Sequence, residues 1–147
     1  MLSQDFREFI KSLNDSGVRH LVIGGYAVAL HGHPRYTKDL DVWVDLSSDN
    51  AAKIIQALAR FGFGGLGLQE QDFLESNQVV QLGHPPNRID ILTSLSGVSF
   101  SECYAHRVET VVEGVTVHFI ALEDLKQNKR ASGRLQDLAD IENLGGE

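Results

Sequence analysis

Two stretches decide the fold: Leu21-Val22-Ile23-Gly24-Gly25-Tyr26-Ala27-Val28-Ala29-Leu30-His31, and Asp39-Leu40-Asp41-Val42-Trp43-Val44-Asp45. The first reads as a short buried strand that gives way, at a glycine pair, to a short helix of small residues. Unpaired backbone N–H groups and the helix dipole at such a turn favour a phosphate. The second reads as a strand. Side chains alternate along a strand, so Asp39 and Asp41 share one face while Leu40, Val42 and Val44 fill the other. A third acid, Asp90, stands in Arg88-Ile89-Asp90-Ile91-Leu92, another apolar run of strand character. On a neighbouring strand it completes a set of hard oxygen ligands suited to Mg²⁺. A phosphate cradle beside metal-binding acids is the equipment for moving a phosphoryl or nucleotidyl group.

Outward from these stretches, Leu2, Phe6, Phe9, Ile10 and Leu13 recur at helical spacing, and Asn14-Asp15-Ser16-Gly17 supplies a stop. Ser47-Ser48-Asp49-Asn50 is a cluster of N-cap residues ahead of a helix over Ala51 to Phe61. Gly62 to Ser76 is glycine-rich and expected to be irregular, a segment of the length that functional loops reach. Gln78 to Leu82 and Arg88 to Thr93 read as strands, as do Val108 to Val112 and Val115 to Ile120 around Glu113-Gly114. Leu122 to Ser132 and Leu135 to Leu144 read as two closing helices separated by Gly133. The expected fold class is α/β (α+β): a mixed, twisted sheet flanked by helices, ending in a C-terminal helical pair, in one domain over 1–147.

The bulk properties narrow the partners. A net charge of −7 argues against broad attraction to a nucleic-acid backbone, while leaving room for a local basic patch. Cys103 is the single cysteine, so no intrachain disulfide and no cysteine-based zinc site can form. That composition suits a cytoplasmic setting. The N-terminus lacks the pattern of a secretory signal, and no apolar run approaches the ~20 residues needed to cross a bilayer.

The run Gly24-Gly25-Tyr26-Ala27-Val28-Ala29-Leu30-His31-Gly32, followed by Arg35, Thr37, Asp39 and Asp41, resembles the nucleotidyltransferase fold superfamily. That superfamily includes DNA polymerase beta, the aminoglycoside and lincosamide nucleotidyltransferases and the AbiEii-type toxins. The tail, with Leu122-Glu123-Asp124-Leu125, Lys129, Ala131, Gly133-Arg134, Asp137 and Asp140, is similar to small AbiEii-like and lincosamide-type members. The resemblance implies an NTP co-substrate and a hydroxyl acceptor on a small molecule, a protein or tRNA, with pyrophosphate leaving. It implies that Asp39 and Asp41 hold Mg²⁺ or Mn²⁺, and that Asp90 holds metal or takes the acceptor's proton. Gly24 and Gly25 would grip the β and γ phosphates, and Lys129 would face the triphosphate. Arg35 and Thr37 fall where such proteins keep an arginine and a hydroxyl residue. Paired metals about 3.5–4 Å apart steady both the attacking and the departing oxygen in this chemistry.

Each residue has a plainer reading. The glycine pair alone is a tight turn, and the two acids alone are an exposed strand face. Lys126 and Arg130 read as a solvated helix face, and Arg134 with Asp137 as a helix-surface ion pair. Trp43 reads as core, His31 as a cap or packing residue, and Cys103 as inert. Two further functional readings stand beside the transferase: a noncatalytic nucleotide- or partner-binding regulatory domain, and a toxin–antitoxin component. Only a short tail follows Ile120, so an acceptor surface is expected to be minimal, shared in a homo-oligomer or supplied by a partner protein.

Overall fold

The computed structural model describes residues 2–32, 39–84 and 87–145. The glycine pair, the three acids and the C-terminal helices fall inside this range. Arg35 and Thr37 lie outside the described residues.

Helix α1 (Gln4–Asp15) opens at Ser3, whose hydroxyl accepts the Phe6 N–H at 3.2 Å, and buries Phe6, Phe9, Ile10 and Leu13 on one face. Strand β1 (His20–Ile23) is buried throughout and runs directly into α2 (Gly24–Leu30). Next come β2 (Leu40–Val44) and α3 (Ser48–Phe61). The Ser47 hydroxyl caps α3, while the Asn50 side chain accepts the Arg19 N–H and donates to the Arg19 and Asp45 carbonyls. Phe9 meets Phe61 edge to face with centroids 5.3 Å apart, locking α1 against α3.

Strands β3 (Val79–Leu82), β4 (Ile89–Leu92), β5 (Val108–Val112) and β6 (Val115–Phe119) complete one mixed sheet in the order β3-β4-β2-β1-β6-β5. Pairings β1–β2, β3–β4 and β5–β6 are antiparallel, whereas β1–β6 and β2–β4 are parallel. Helices α5 (Leu122–Ser132) and α6 (Leu135–Asn143) close the chain, joined through Gly133. The expected mixed sheet with flanking helices and a terminal helical pair is the fold observed.

Three local differences have physical causes. Helix α4 (Phe100–Ala105) is too short for its periodicity to stand out; tertiary packing forms it, with Phe100 meeting Trp43 edge to face at 5.1 Å and Cys103 sealed beneath. The segment after α3 is irregular but anchored, with short 3₁₀ turns at Gly64–Leu66 and Glu70–Phe73 and with Phe73 fully buried. Lys126, expected to be solvated, is only 7% exposed, with its ammonium 3.7 Å from Glu123 one turn earlier on the same helix. Arg130 is exposed as expected. Among the described residues, no helix is long and apolar enough to cross a membrane.

Candidate active site

Sheet register gathers the acids. Strand β2 pairs with β4 so that Asp41 lies opposite Asp90 and Leu40 opposite Ile89. Parallel neighbours share a face, so Asp41 and Asp90 stand side by side, with Asp39 two residues earlier on the same side. Leu40, Val42 and Val44 are buried on the opposite side, as the alternation requires. The same face continues to Trp43, packed into the core, so the acids occupy one end of an otherwise buried surface.

The glycine pair reaches this cluster through the other neighbour of β2. Ile23 pairs with Asp41, which sets Gly24 beside the Asp41 carboxylate. Gly24 has φ of +67°, and a Cβ added there would meet Asp41 Oδ2 and come within 3.1 Å of its Cγ. Glycine is required twice over: by the backbone conformation and by the room the carboxylate takes.

Burial and mutual repulsion shape the electrostatics. Burial, then the charges of Asp90 and Asp39, push the Asp41 carboxyl from its ordinary 3.8 up to about 6, against the pull of Arg88 and Lys129. Asp90 is raised as well, chiefly by burial, and it hydrogen-bonds Asp41.

Among the described residues, Arg88 supplies the positive charge in direct contact with the acids. Its Nη2 donates to Asp39 Oδ2 at 2.8 Å and to Asp90 Oδ2 at 3.4 Å. Its Nε lies 3.3 Å from Asp90 Oδ1, yet both atoms are buried without a hydrogen bond. Sequence reasoning passed over Arg88, although the signal was there: two residues before Asp90 on a strand, it shares that acid's face. Gln81, exposed and opposite Asp90 in the β3–β4 register, joins the same face and has no comparable sequence cue.

Lys129 occupies a different setting. Its ammonium donates to Asp137 Oδ1 at 3.1 Å and Asp140 Oδ2 at 2.8 Å in the seam between α5 and α6. Ser132 and Arg134 complete Asp137, and Gln136 completes Asp140. Burial alone would raise the Asp137 carboxyl, but the hydrogen bonds from Arg134, Ser132 and Lys129 hold it down at about 2. Among the described residues no ion pair joins Lys129 to Asp39, Asp41 or Asp90, although its charge is close enough to lower Asp41.

The remaining expectations concern packing. His31 ends α2 and donates its Nε2–H to the Ile120 carbonyl at 2.8 Å. Burial, with Asp124 and Glu102 nearby, pushes the Cys103 thiol up to about 12, which leaves no thiolate at neutral pH.

The donor set is suited to a divalent cation. It offers oxygen ligands only, carries more negative charge than Arg88 offsets, and leaves Asp90 Oδ1 buried without a hydrogen-bond donor. As the side chains stand, no group of three His, Cys, Asp or Glu residues among the described residues is disposed to hold an ion. Asp39 turns to Arg88, and Asp41 turns to Asp90.

Comparison with known proteins concerns the family and the fold. A family model described as "Nucleotidyltransferase of unknown function (DUF6036)" matches residues 1–145. The fold is shared with a candidate nucleotidyltransferase from Thermotoga maritima, with a TM-score of 0.64 at 15% identity, over 94% of this chain and 88% of the other. It is also shared with an antigenic nucleotidyltransferase-like protein from Paracoccidioides brasiliensis, with a TM-score of 0.54 at 16% identity, over 97% and 75% of the two chains. At such identities the likeness is one of fold. The sequence has no match among curated proteins.

Proposed function

The chain belongs to the DUF6036 family of nucleotidyltransferases, and from that premise we propose that it moves a nucleoside monophosphate from an NTP to a hydroxyl acceptor. The observation that carries this reading is the register of β2 and β4, which sets Asp41 beside Asp90 on a face that also bears Asp39 and adjoins Gly24.

In this reading Asp39, Asp41 and Asp90 hold Mg²⁺ or Mn²⁺. The bound ions supply charge stabilisation for the attacking oxygen and the departing pyrophosphate. The chain's residues do the rest. The acceptor oxygen forms a bond to the α-phosphorus as the bond to pyrophosphate breaks. The hydroxyl proton passes to a carboxylate oxygen, and Asp90 is the base of choice because its Oδ1 accepts no hydrogen bond and burial raises its affinity for a proton. Gly24 and Gly25, with no side chain in the way, let the polyphosphate approach the backbone beside Asp41. Lys129 acts from the α5–α6 seam by adding positive potential at Asp41. Arg35 and Thr37 are proposed as further nucleotide contacts on family resemblance.

The test is incubation of wild type and Asp41→Asn with each α-labelled NTP, Mg²⁺ or Mn²⁺, and cell extract, with identification of the labelled species. The expected result is a labelled acceptor with wild type and a loss of about 10²–10³-fold or more with the variant, whose fold is intact by circular dichroism. Equal labelling by both proteins overturns the assignment.

A further inference from the structure

Arg88 makes contacts that the transfer reaction alone does not explain. A guanidinium is permanently charged and forks readily between carboxylates. Here one guanidinium spans Asp39 and Asp90, two of the acids assigned to the metal. It reaches Asp39 well, at 2.8 Å, and Asp90 poorly: 3.4 Å from Nη2, and 3.3 Å from Nε without a hydrogen bond. Both Nε and Asp90 Oδ1 are therefore buried and unsatisfied, an arrangement that costs free energy and persists only where something else requires it. The side chain is 33% exposed, so it has room to leave. Its backbone is anchored separately, because the Arg88 carbonyl accepts the Leu40 N–H at 3.0 Å. The side chain can move without disturbing the β2–β4 pairing.

We propose that Arg88 is a built-in counter-cation, holding Asp39 and Asp90 in the metal-free protein and competing with the divalent ion for them. The proposal rests on the metal-site reading above and deepens it. The acids carry like charges on adjacent strands and need a cation to stay together. Arg88 is that cation until metal arrives, and metal binding releases it from both carboxylates. The disposition of the side chains follows: the acids converge on one face, yet they do not form an ion cage while Arg88 draws Asp39 aside. Arg88 is a positioning residue in this role, since it acts through the acids.

Two opposed readouts test this. Mn²⁺ affinity is measured by electron paramagnetic resonance, and thermal stability is measured in EDTA, for wild type, Arg88→Gln and Arg88→Lys. Arg88→Gln is expected to bind Mn²⁺ about tenfold more tightly while melting at a lower temperature in EDTA. Arg88→Lys keeps the charge but not the fork, so it should fall between the two; it also serves if Arg88→Gln does not fold. A residue that merely supports the fold would lower both quantities together. Equal or weaker Mn²⁺ binding by both folded variants, with wild type binding, overturns the competition and leaves the metal site standing. Absence of Mn²⁺ binding in wild type and both variants removes the metal site, and this proposal with it.

Discussion

The molecule contains two clusters built from the same parts, carboxylates and cations on packed elements, and they are in opposite electrostatic states. In the α5–α6 seam both oxygens of Asp137 and of Asp140 accept hydrogen bonds, and the Asp137 carboxyl is held at about 2. On the sheet, among the described residues, three acids face the guanidinium of Arg88, Asp41 is pushed up to about 6, and Asp90 Oδ1 accepts no hydrogen bond. The saturated cluster looks inward and joins two helices. The unsaturated one lies beside a glycine turn and has ligation capacity in reserve. Charge left unbalanced at a packed site, rather than the number of charged residues, separates the candidate catalytic centre from a structural one.

The largest expected effect falls in the saturated cluster. Lys129→Met leaves Asp137 and Asp140 buried without their shared cation, at 3% and 1% exposure. Breaking one side of a buried ion network costs about 3–5 kcal/mol. Urea unfolding followed by circular dichroism should show that loss. If the variant keeps wild-type stability and loses only nucleotide affinity, the contrast fails, and Lys129 belongs with the catalytic group.

Gly24→Ala should have the next largest effect, because it strikes where the turn meets the acids. A left-handed φ of +67° and a Cβ directed at the Asp41 carboxylate together cost about 1–3 kcal/mol. The carboxylate must also shift, so Mn²⁺ affinity should fall beyond what stability alone explains. Calorimetric Mn²⁺ titration of the folded fraction separates the two effects, and unchanged affinity would detach Gly24 from the site.

Asp41→Asn should stabilise the metal-free protein, the reverse of the usual outcome for a removed charge. A folded-state pKa near 6 against an unfolded value near 3.8 means that the folded protein holds the Asp41 proton more tightly. That contribution is present in full below about pH 4 and is lost as pH rises through about 6. Asparagine mimics the protonated form and has no such dependence. At pH 8 in EDTA the variant should gain about 1 kcal/mol after allowance for solvent screening, and at pH 4 it should gain nothing. Saturating Mg²⁺ should reverse the order. Thermal melts across that pH range check the sign, and a variant that is less stable at pH 8 contradicts the repulsion described at the sheet.

Much of this was legible in the chain, because it depends on period and punctuation. The alternation through Asp39-Leu40-Asp41-Val42 places the acids on one face whatever the strand pairing, and Gly24-Gly25 marks the strand-to-helix turn. Long-range register was not legible. Nothing local says that Gln81 lies opposite Asp90, or that Ile23 sets Gly24 against Asp41. Helix α4 was hidden because Phe100 and Cys103 form a stripe too short to read, and Trp43 supplies its packing from a distant strand. Lys126 and Lys129 look alike in sequence, as charged residues on a polar helix. Both are buried in the fold, and the docking of α6 gives Lys129 its two carboxylates.

The smallest expected effect tests how saturated the α5–α6 cluster is. Arg134 donates to Asp137 at 2.7 Å, yet its side chain is 78% exposed, while that of Asp137 is 4% exposed. An ion pair with one partner in water contributes less than about 1 kcal/mol. Asp137 also keeps the donors Ser132 and Lys129 when Arg134 is removed. Arg134→Ala should therefore move the urea midpoint only slightly, with an upward shift of the Asp137 pKa visible by carbon-13 NMR of its carboxyl. The Lys129 and Arg134 substitutions remove one positive charge each from the same carboxylate, so a large gap between them measures burial rather than charge. Comparable losses in the two variants would mean that the network depends on its exposed arm, and that α6 is held from outside rather than from the seam.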